Sequence, residues 1–290
     1  MEKISRKTKI NIDRGKQVVF AIFLVIFVVY SVFCLYPYFW VFMNSVKGID
    51  EYYKNMNALP KSWHLNYYLE IFTSFKVGSN GFFTMLWNSV WYTLGGRLIS
   101  ICACICVAYP LAKYNFPCRG LVYGIIIFKI TIPIIGAGTV TYKFLRSLNM
   151  INNPPLYMLQ YLQGFDMSTL ILYGYFKGIS KDYSEAAFID GATMMQTFLQ
   201  VVLPQAIPCV LALYINTVMG TWNDYSGLLI YMPKYPNLAL GIYSVDVGAA
   251  FIEHYKFFGA IIISSLVPLL LFGFSQKMMV KNMSIGGLKG

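Results

Sequence analysis

Charged residues are scarce in this sequence. Only 12% of its 290 residues are Asp, Glu, Lys or Arg, about half the share of a typical soluble domain. The charges are also bunched, which leaves uncharged runs at 18–46, 191–223 and 257–276. A helix needs about 20 apolar residues to cross a bilayer. The composition therefore excludes a water-soluble enzyme and predicts a membrane protein.

Motifs for catalysis and nucleotide binding are missing as well. The two histidines, His64 and His254, are far apart in the sequence, and there is no His-Glu-x-x-His zinc motif. There is also no Gly-x-x-x-x-Gly-Lys-Ser/Thr phosphate loop. The cysteines lie mostly in apolar segments, and those at 102, 104 and 106 would point to different sides of a helix. We expect no catalytic residue, metal or cofactor in this chain.

Hydropathy predicts an all-α membrane protein with six transmembrane helices. Irregular backbone is not tolerated against lipid, so each span is expected to be a helix. The predicted spans are about 18–43, 85–112, 121–145, 155–178, 198–224 and 256–278.

The net charge of +11 reflects membrane topology rather than nucleic-acid binding. The tail 1–17 carries six basic residues, and the loops on its side of the membrane bring the total there to 13, against 8 on the opposite side. Lys and Arg favour the cytoplasmic side, so both termini are predicted to be cytoplasmic. This gives a basic tail (1–17), a membrane domain (18–280) and a cytoplasmic C-terminal tail (281–290). The loops 44–84 and 225–255 are then extracytoplasmic.

Two basic residues fall inside predicted spans, Arg97 and Lys129. Ionisable side chains at this depth face a bundle interior, a cavity or an interface, because exposure to lipid costs several kcal/mol. Arg97 either lines a polar pathway or forms a structural pair with a carboxylate such as Asp166.

The predicted cytoplasmic segment 182–204 contains several signals for the start and end of a helix. Asp182 and Glu185 have the spacing of a capping box, as do Thr193 and Gln196. Gly191, between them, suits the left-handed residue that ends a helix. The pattern predicts a short helix at about 182–193, which we interpret as a docking element outside the membrane.

This segment resembles the EAA motif of bacterial ABC importer permeases. It reads Glu185-Ala186-Ala187, three residues, Gly191, nine residues, then Val201-x-Leu203-Pro204, with Val in place of the usual Ile as the only departure. The longer form at 185–192 is similar to the carbohydrate-uptake branch, and within it to the smaller maltose-type permease. Asn88-Ser89, Trp222-Asn223-Asp224 and the terminal Lys289-Gly290 agree with this resemblance.

The resemblance implies the ABC type I importer permease fold, with the coupling helix between spans four and five. It implies a non-enzymatic permease subunit of an ATP-driven sugar importer in a bacterial cell membrane. Its expected partners are a second, homologous permease, two ATP-binding subunits that hold ATP and Mg²⁺, and an extracytoplasmic sugar-binding protein. An ABC permease for another solute, such as a phosphate ester or a peptide, is the alternative.

The resemblance also assigns roles to residues, and Pro204 and Pro208 are expected to bend span five. In the 225–255 loop, residues of about 232–250 are expected to contact the binding protein. The residues expected to couple to the ATPase are Glu185, Ala186, Ala187, Asp190, Gly191, Leu203 and Pro204. Those expected to line the pathway are Arg97, Trp222, Asn223 and Asp224, and those expected in the binding-protein loop are Pro233, Tyr235, Asn237 and Gly241.

Overall fold

The computed structural model describes residues 14–132, 136–248 and 252–283, with the side chains of 277–283 left out. Almost all regular structure in these ranges is helical. The α-helices are α1 Arg14–Ser45, α2 Ile49–Lys54, α3 Tyr67–Ser74, α4 Phe82–Val90, α5 Gly96–Lys113, α6 Arg119–Thr131, α7 Gly138–Ser147, α8 Pro154–Met158, α9 Met167–Gly178, α10 Asp182–Ile189, α11 Met194–Gln196, α12 Leu203–Trp222, α13 Ser226–Tyr231, α14 Leu238–Asp246 and α15 His254–Met283.

Three further helical stretches and one hairpin complete these elements. Trp91–Gly95 and Thr197–Val202 are π-helical, and Leu159–Tyr161 is a 3₁₀ turn. Strands β1 (Lys76–Val77) and β2 (Asn80–Gly81) pair antiparallel. The hairpin is a small exception to the predicted all-α fold.

Four helical stretches are long and apolar enough to cross a membrane. They are Gly15–Ser45, Phe82–Lys113, Met194–Trp222 and His254–Gln276. They coincide with predicted spans one, two, five and six. The second and fifth spans each continue through one of the π-helical stretches, which are frequent at functional sites.

Predicted spans three and four are not continuous helices, so that expectation is wrong. Span three divides into α6 and α7, and the sequence places Pro133 between them. Span four divides into α8 with its 3₁₀ turn and α9. Gly164 lies in this second break with φ of +57°, and the Asp166 carboxylate caps α9 by accepting from the Thr169 amide. A left-handed residue stops a helix from continuing, and the N-cap two residues later begins a new one.

The break before α9 brings the chain into close contact with α5. A Cβ atom on Gly164 would lie 2.9 Å from the Ala103 carbonyl oxygen and 2.9 Å from Val107 Cγ2. The Thr169 hydroxyl donates to the Gly164 carbonyl at 2.7 Å and holds the loop in this position. Below this contact, α5, α9 and α12 share a core. Its fully buried side chains include Leu172, Phe176 and Val202.

Helix α1 lies at the edge of the molecule. In its most apolar stretch no residue is buried, and its main packing partner is α15. The Trp40 and Phe258 rings meet edge to face with centroids 5.4 Å apart. The remainder of α1 is an apolar surface suited to lipid.

Candidate functional site

Helix α10 ends in a complete Schellman motif. Gly191 has φ of +82°, the Ala192 amide donates to the Ala187 carbonyl at 2.9 Å, and the Gly191 amide donates to the Phe188 carbonyl at 3.0 Å. These two bonds are the ones that define the motif. The predicted left-handed glycine is confirmed, and it fixes the direction in which the chain leaves α10.

The two predicted capping boxes have different outcomes. Thr193 and Gln196 form theirs, with the Thr193 amide donating to Gln196 Oε1 at 2.8 Å and the Gln196 amide donating to Thr193 Oγ1. The box at Asp182 and Glu185 does not form, because the helix begins one residue earlier and its cap is Lys181. Both carboxylates therefore lie in the first turn, where their negative charges interact favourably with the positive end of the helix dipole.

Most of α10 is open to solvent. Glu185, Ala186 and Asp190 are exposed, whereas Ala187 is buried against its own chain. Ala187 is therefore not part of the exposed surface of the single chain, and its role in ATPase coupling stays a prediction. We define the α10 patch as the exposed apolar side chains of this segment: Tyr183, Phe188, Ile189, Met194 and Met195.

The π-helical stretch 197–202 joins the α10 segment to the membrane core. The Phe198 ring packs on Tyr109 of α5 with centroids 4.4 Å apart. Leu203 packs on the same core, while Pro204 is exposed at the start of α12. Proline lacks an amide donor. The Gln205 side chain donates to the Val201 carbonyl at 2.9 Å beside it.

A polar cavity lies where the helices of the fourth predicted span break. A cavity of about 310 Å³ lies between α5, the 3₁₀ turn and the connection from α12 to α13. Its walls carry both acidic and basic groups together with several phenols. The lining residues are Tyr92, Arg97, Ser100, Tyr157, Gln160, Tyr161, Gln163, Asp166, Asp224, Gly227 and Tyr231.

Arg97 lies near the middle of the second span and is held from two sides. Its Nε donates to Thr221 Oγ1 at 2.6 Å, and its guanidinium carbon lies 5.1 Å from the centre of the Tyr161 ring. Among the described residues no ion pair within 4 Å joins Arg97 to Asp166. Asp166 is occupied as the cap of α9. The structure therefore favours the cavity-lining alternative for Arg97 over the structural ion pair.

Asp224 lies in the wall of the cavity and is held by three hydrogen bonds. Its Oδ2 accepts from the Tyr92 hydroxyl at 2.7 Å, and its Oδ1 accepts from the Ser226 hydroxyl at 2.9 Å and the Gly227 amide at 3.2 Å. These hydrogen bonds stabilise the carboxylate against the cost of burial.

The neighbours of Asp224 occupy other places. Trp222 is only 2% exposed, and its indole nitrogen donates to the Ser264 carbonyl at 3.1 Å. Trp222 is therefore a packing residue in the single chain and does not line this cavity, and its role in lining the pathway stays a prediction. Asn223 is exposed and lines a different, mostly apolar groove of about 730 Å³ between α12, α14 and α15.

The segment 225–248, after α12, folds back onto the second span. Asn88 donates to the Pro236 carbonyl at 2.9 Å, and the Leu238 amide donates to Ser89 Oγ at 2.9 Å. Asn237 donates to the Asp224 carbonyl at 2.9 Å and caps α14 by accepting from the Leu240 amide at 2.8 Å. These bonds fix the loop as a compact layer of two short helices.

This packing changes the interpretation of the loop residues. Pro233 is exposed and Tyr235 is half-buried. Asn237 and Gly241 are buried, and a Cβ on Gly241 would lie 2.6 Å from Met85 Sδ. Asn237 and Gly241 are therefore not exposed in the single chain, and their contact with a binding protein stays a prediction.

Replacing Asn237 by Ala is expected to lower the free energy of unfolding by about 2 kcal/mol, because it removes an N-cap and leaves the part-buried Asp224 carbonyl without its donor. Asn153→Ala is the matched control. Asn153 also stands at a helix N-cap but makes no capping hydrogen bond. Thermal unfolding in detergent measures both variants, and equal melting temperatures would contradict the anchoring role.

Several cavity residues were not found from the sequence. Tyr92, Gln160 and Gln163 carry no motif, and aromatic residues are common throughout this chain. Lys129 gave a sequence signal for Gln163, because its ammonium donates to Gln163 Oε1 at 2.8 Å. An intramembrane lysine with an amide partner points to a polar surface beside the cavity.

Known proteins resemble the chain over most of its length. The family described as "Binding-protein-dependent transport system inner membrane component" matches residues 100–285. The diacetylchitobiose uptake system permease protein NgcG of Streptomyces coelicolor is 27% identical, over 84% of this chain and 80% of that protein. The maltodextrin transport system permease protein MalD of Streptococcus pneumoniae is 28% identical, over 90% and 92%. A chain from the crystal structure of a bacterial ABC transporter that imports the acidic polysaccharide alginate superposes with a TM-score of 0.75, at 20% identity, over 92% of this chain and 98% of that one.

Proposed function

This chain belongs to the family of binding-protein-dependent transport system inner membrane components, and on that premise we propose that it is a permease subunit of an ATP-driven carbohydrate importer. The family is a membrane component of transporters and not an enzyme. The observation that carries the proposal is the family match over residues 100–285, which includes all of α10. The printed names of relatives such as NgcG and MalD support a sugar as the solute.

We infer that the α10 patch docks onto an ATP-binding subunit. Its apolar side chains are exposed at a helix whose exit is fixed by Gly191, and exposed apolar patches of this kind mark interaction sites. Contacts on either side of α10 would transmit its movement to the membrane domain. Phe198 contacts Tyr109, and Lys113 at the cytoplasmic end of α5 donates to the Ile179 carbonyl at 2.6 Å. ATP and Mg²⁺ would be held by that partner.

The topology proposal keeps six crossings with both termini in the cytoplasm. Spans three and four would cross as pairs of shorter helices, which is acceptable where the irregular backbone faces protein or a polar cavity. The exposed Lys129 on α6 supports a polar or protein neighbour there. We assign that neighbour to the second permease, which would supply the other half of the pathway. The C-terminal residues 284–290, including Lys289 and Gly290, and residues 1–13 of the basic tail lie outside the described residues.

We propose that the binding protein contacts the exposed rim of the extracytoplasmic loop. This rim consists of Pro233, Lys234 and residues 246–248. Cysteine at 234 or 247 is expected to crosslink to the binding protein in the nucleotide-bound transporter. Cysteine at 119, which the topology proposal places on the cytoplasmic side, is the control and should not crosslink. Failure of both rim positions would assign the contact to another loop.

Reconstitution tests the function as a whole. The chain is co-expressed with the permease, ATPase and binding-protein genes of its locus, and the purified complex is placed in liposomes. ATP-driven uptake of maltotriose, N,N′-diacetylchitobiose and galactobiose is compared with uptake of glycerol 3-phosphate and a tripeptide. We expect uptake of an oligosaccharide. Uptake of only the phosphate ester or the peptide would support the alternative permease for a non-sugar solute.

A further inference from the structure

We propose that the cavity beside Arg97 is a solute-binding site within this chain, and that it takes one uncharged, pyranose-sized polyhydroxylated unit. The inference rests on the proposed function and extends it, because it makes this subunit a contact for the solute rather than only a wall of the pathway. The evidence comes from unused hydrogen-bonding groups, charge balance, ring surfaces and size.

Unused donors point to a ligand rich in oxygen. Arg97 uses only Nε, towards Thr221, and within the described ranges no hydrogen bond engages its two terminal nitrogens. The amide nitrogen of Gln160 is buried beside the Tyr157 hydroxyl without completing a hydrogen bond to it. A buried donor without a partner costs about 1–3 kcal/mol. A hydroxylated ligand would satisfy these groups.

The cavity also offers an acceptor. Asp224 Oδ2 accepts one hydrogen bond, from Tyr92, and a carboxylate oxygen has room for two. Donors and an ionised acceptor facing the same space suit a group that both accepts and donates. A sugar hydroxyl has this property, whereas a carboxylate or sulfate ligand can only accept.

The balance of charge favours an uncharged ligand. Among the lining residues Arg97 is the one cation, and Asp166 and Asp224 are two carboxylates. Lys129 lies outside the lining, where its ammonium donates to Gln163. An anionic ligand would meet two carboxylates in a setting of low dielectric constant, and like charges repel strongly there.

Shape and size fit one ring. Tyr157 and Tyr161 stand at right angles, with centroids 6.5 Å apart, and form an almost fully buried aromatic part of the wall. The volume of about 310 Å³ is at the lower end for small-molecule sites, which suits a single sugar unit rather than a whole oligosaccharide. Sites of this kind commonly combine aromatic walls with a few placed polar groups.

The test measures binding to the whole transporter without its binding protein. Saturation-transfer NMR is recorded with maltose, cellobiose, N,N′-diacetylchitobiose and, as an anionic probe, digalacturonate. Gln160→Ala and Arg97→Lys remove donors from the cavity. The matched controls are Gln276→Ala, at an exposed position, and Arg119→Lys, at a half-buried position; both lie outside the cavity. Assembly with the ATPase subunits is checked for every variant.

We expect signals from at least one neutral disaccharide that fall about tenfold in both cavity variants, an effect equivalent to about one hydrogen bond, and persist in both controls. Equal signals in all variants, no signal with any probe, or signals from digalacturonate alone would overturn the inference. ATP-driven uptake by the same preparations separates the two proposals. Uptake that the cavity variants leave unchanged contradicts this inference alone, whereas a wild-type complex that imports no sugar contradicts the proposed function.

Discussion

Replacing Ile189 by Asp is expected to abolish ATP-driven uptake while the chain still inserts and assembles with its partner permease. Ile189 is 86% exposed at the end of α10, so the change costs little in the isolated chain. In the docked transporter a carboxylate would be buried in an apolar contact, at a cost of about 2 kcal/mol or more. That cost weakens docking at least about 30-fold. Uptake and ATP hydrolysis in liposomes are the measurements.

Ile189→Val is the matched control, because it keeps an apolar side chain of similar shape at the same place. It should retain nearly normal uptake. If Ile189→Asp transported as well as Ile189→Val, the α10 patch would not be the docking surface. Ala187 is unsuitable for this test because it is buried against its own chain, so a larger side chain there would disturb the permease itself.

Replacing Gly164 by Ala is expected to lower the free energy of unfolding by about 3 kcal/mol. Gly164 combines φ of +57° with contacts of 2.9 Å from a new Cβ to the Ala103 carbonyl oxygen and to Val107. The left-handed conformation costs alanine about 1–2 kcal/mol, and crowding adds about 1–3 kcal/mol. The melting temperature of the detergent-purified complex should fall by roughly 5 °C or more.

Gly174→Ala provides the comparison, with the same substitution in the neighbouring α9. Gly174 has helical backbone, and a Cβ there would meet no atom within 4 Å. Alanine is the better helix former, so this variant should melt at the same or a slightly higher temperature. A similar loss of stability in both variants would show that the close approach of the 164 loop to α5 is not what makes glycine necessary.

Local signals in the sequence were sufficient where the structure depends on neighbours in the chain. The left-handed Gly191 and the capping box at Thr193 were predictable because both are short-range hydrogen-bonding patterns. The long apolar helices were predictable from hydropathy. The start of α10 was missed by one residue, since Asp182 can serve equally as a cap or as a first-turn residue.

The breaks in spans three and four depend on contacts that hydropathy does not encode. The mean hydropathy of an apolar segment is the same whether or not Gly164 turns the chain against α5. The same holds for the cavity. Arg97 was predicted because charge is conspicuous at membrane depth, and Asp224 because of the family resemblance, while Gln160 became visible only when the break brought it beside them. The burial of Trp222 and Asn237 was not predictable from the sequence, because it follows from how the chain after α12 packs.

The pairing of α1 with α15 has a consequence for biogenesis. The two helices are the first and last spans in the described chain, and α1 has no other major neighbour. Because the spans are synthesised in order, α1 enters the bilayer before its partner α15 exists. The apolar surface of α1 is stable in lipid during this interval. Assembly therefore ends when α15 packs on α1. A chain truncated before α15 should leave α1 unpacked and open to membrane quality-control proteases.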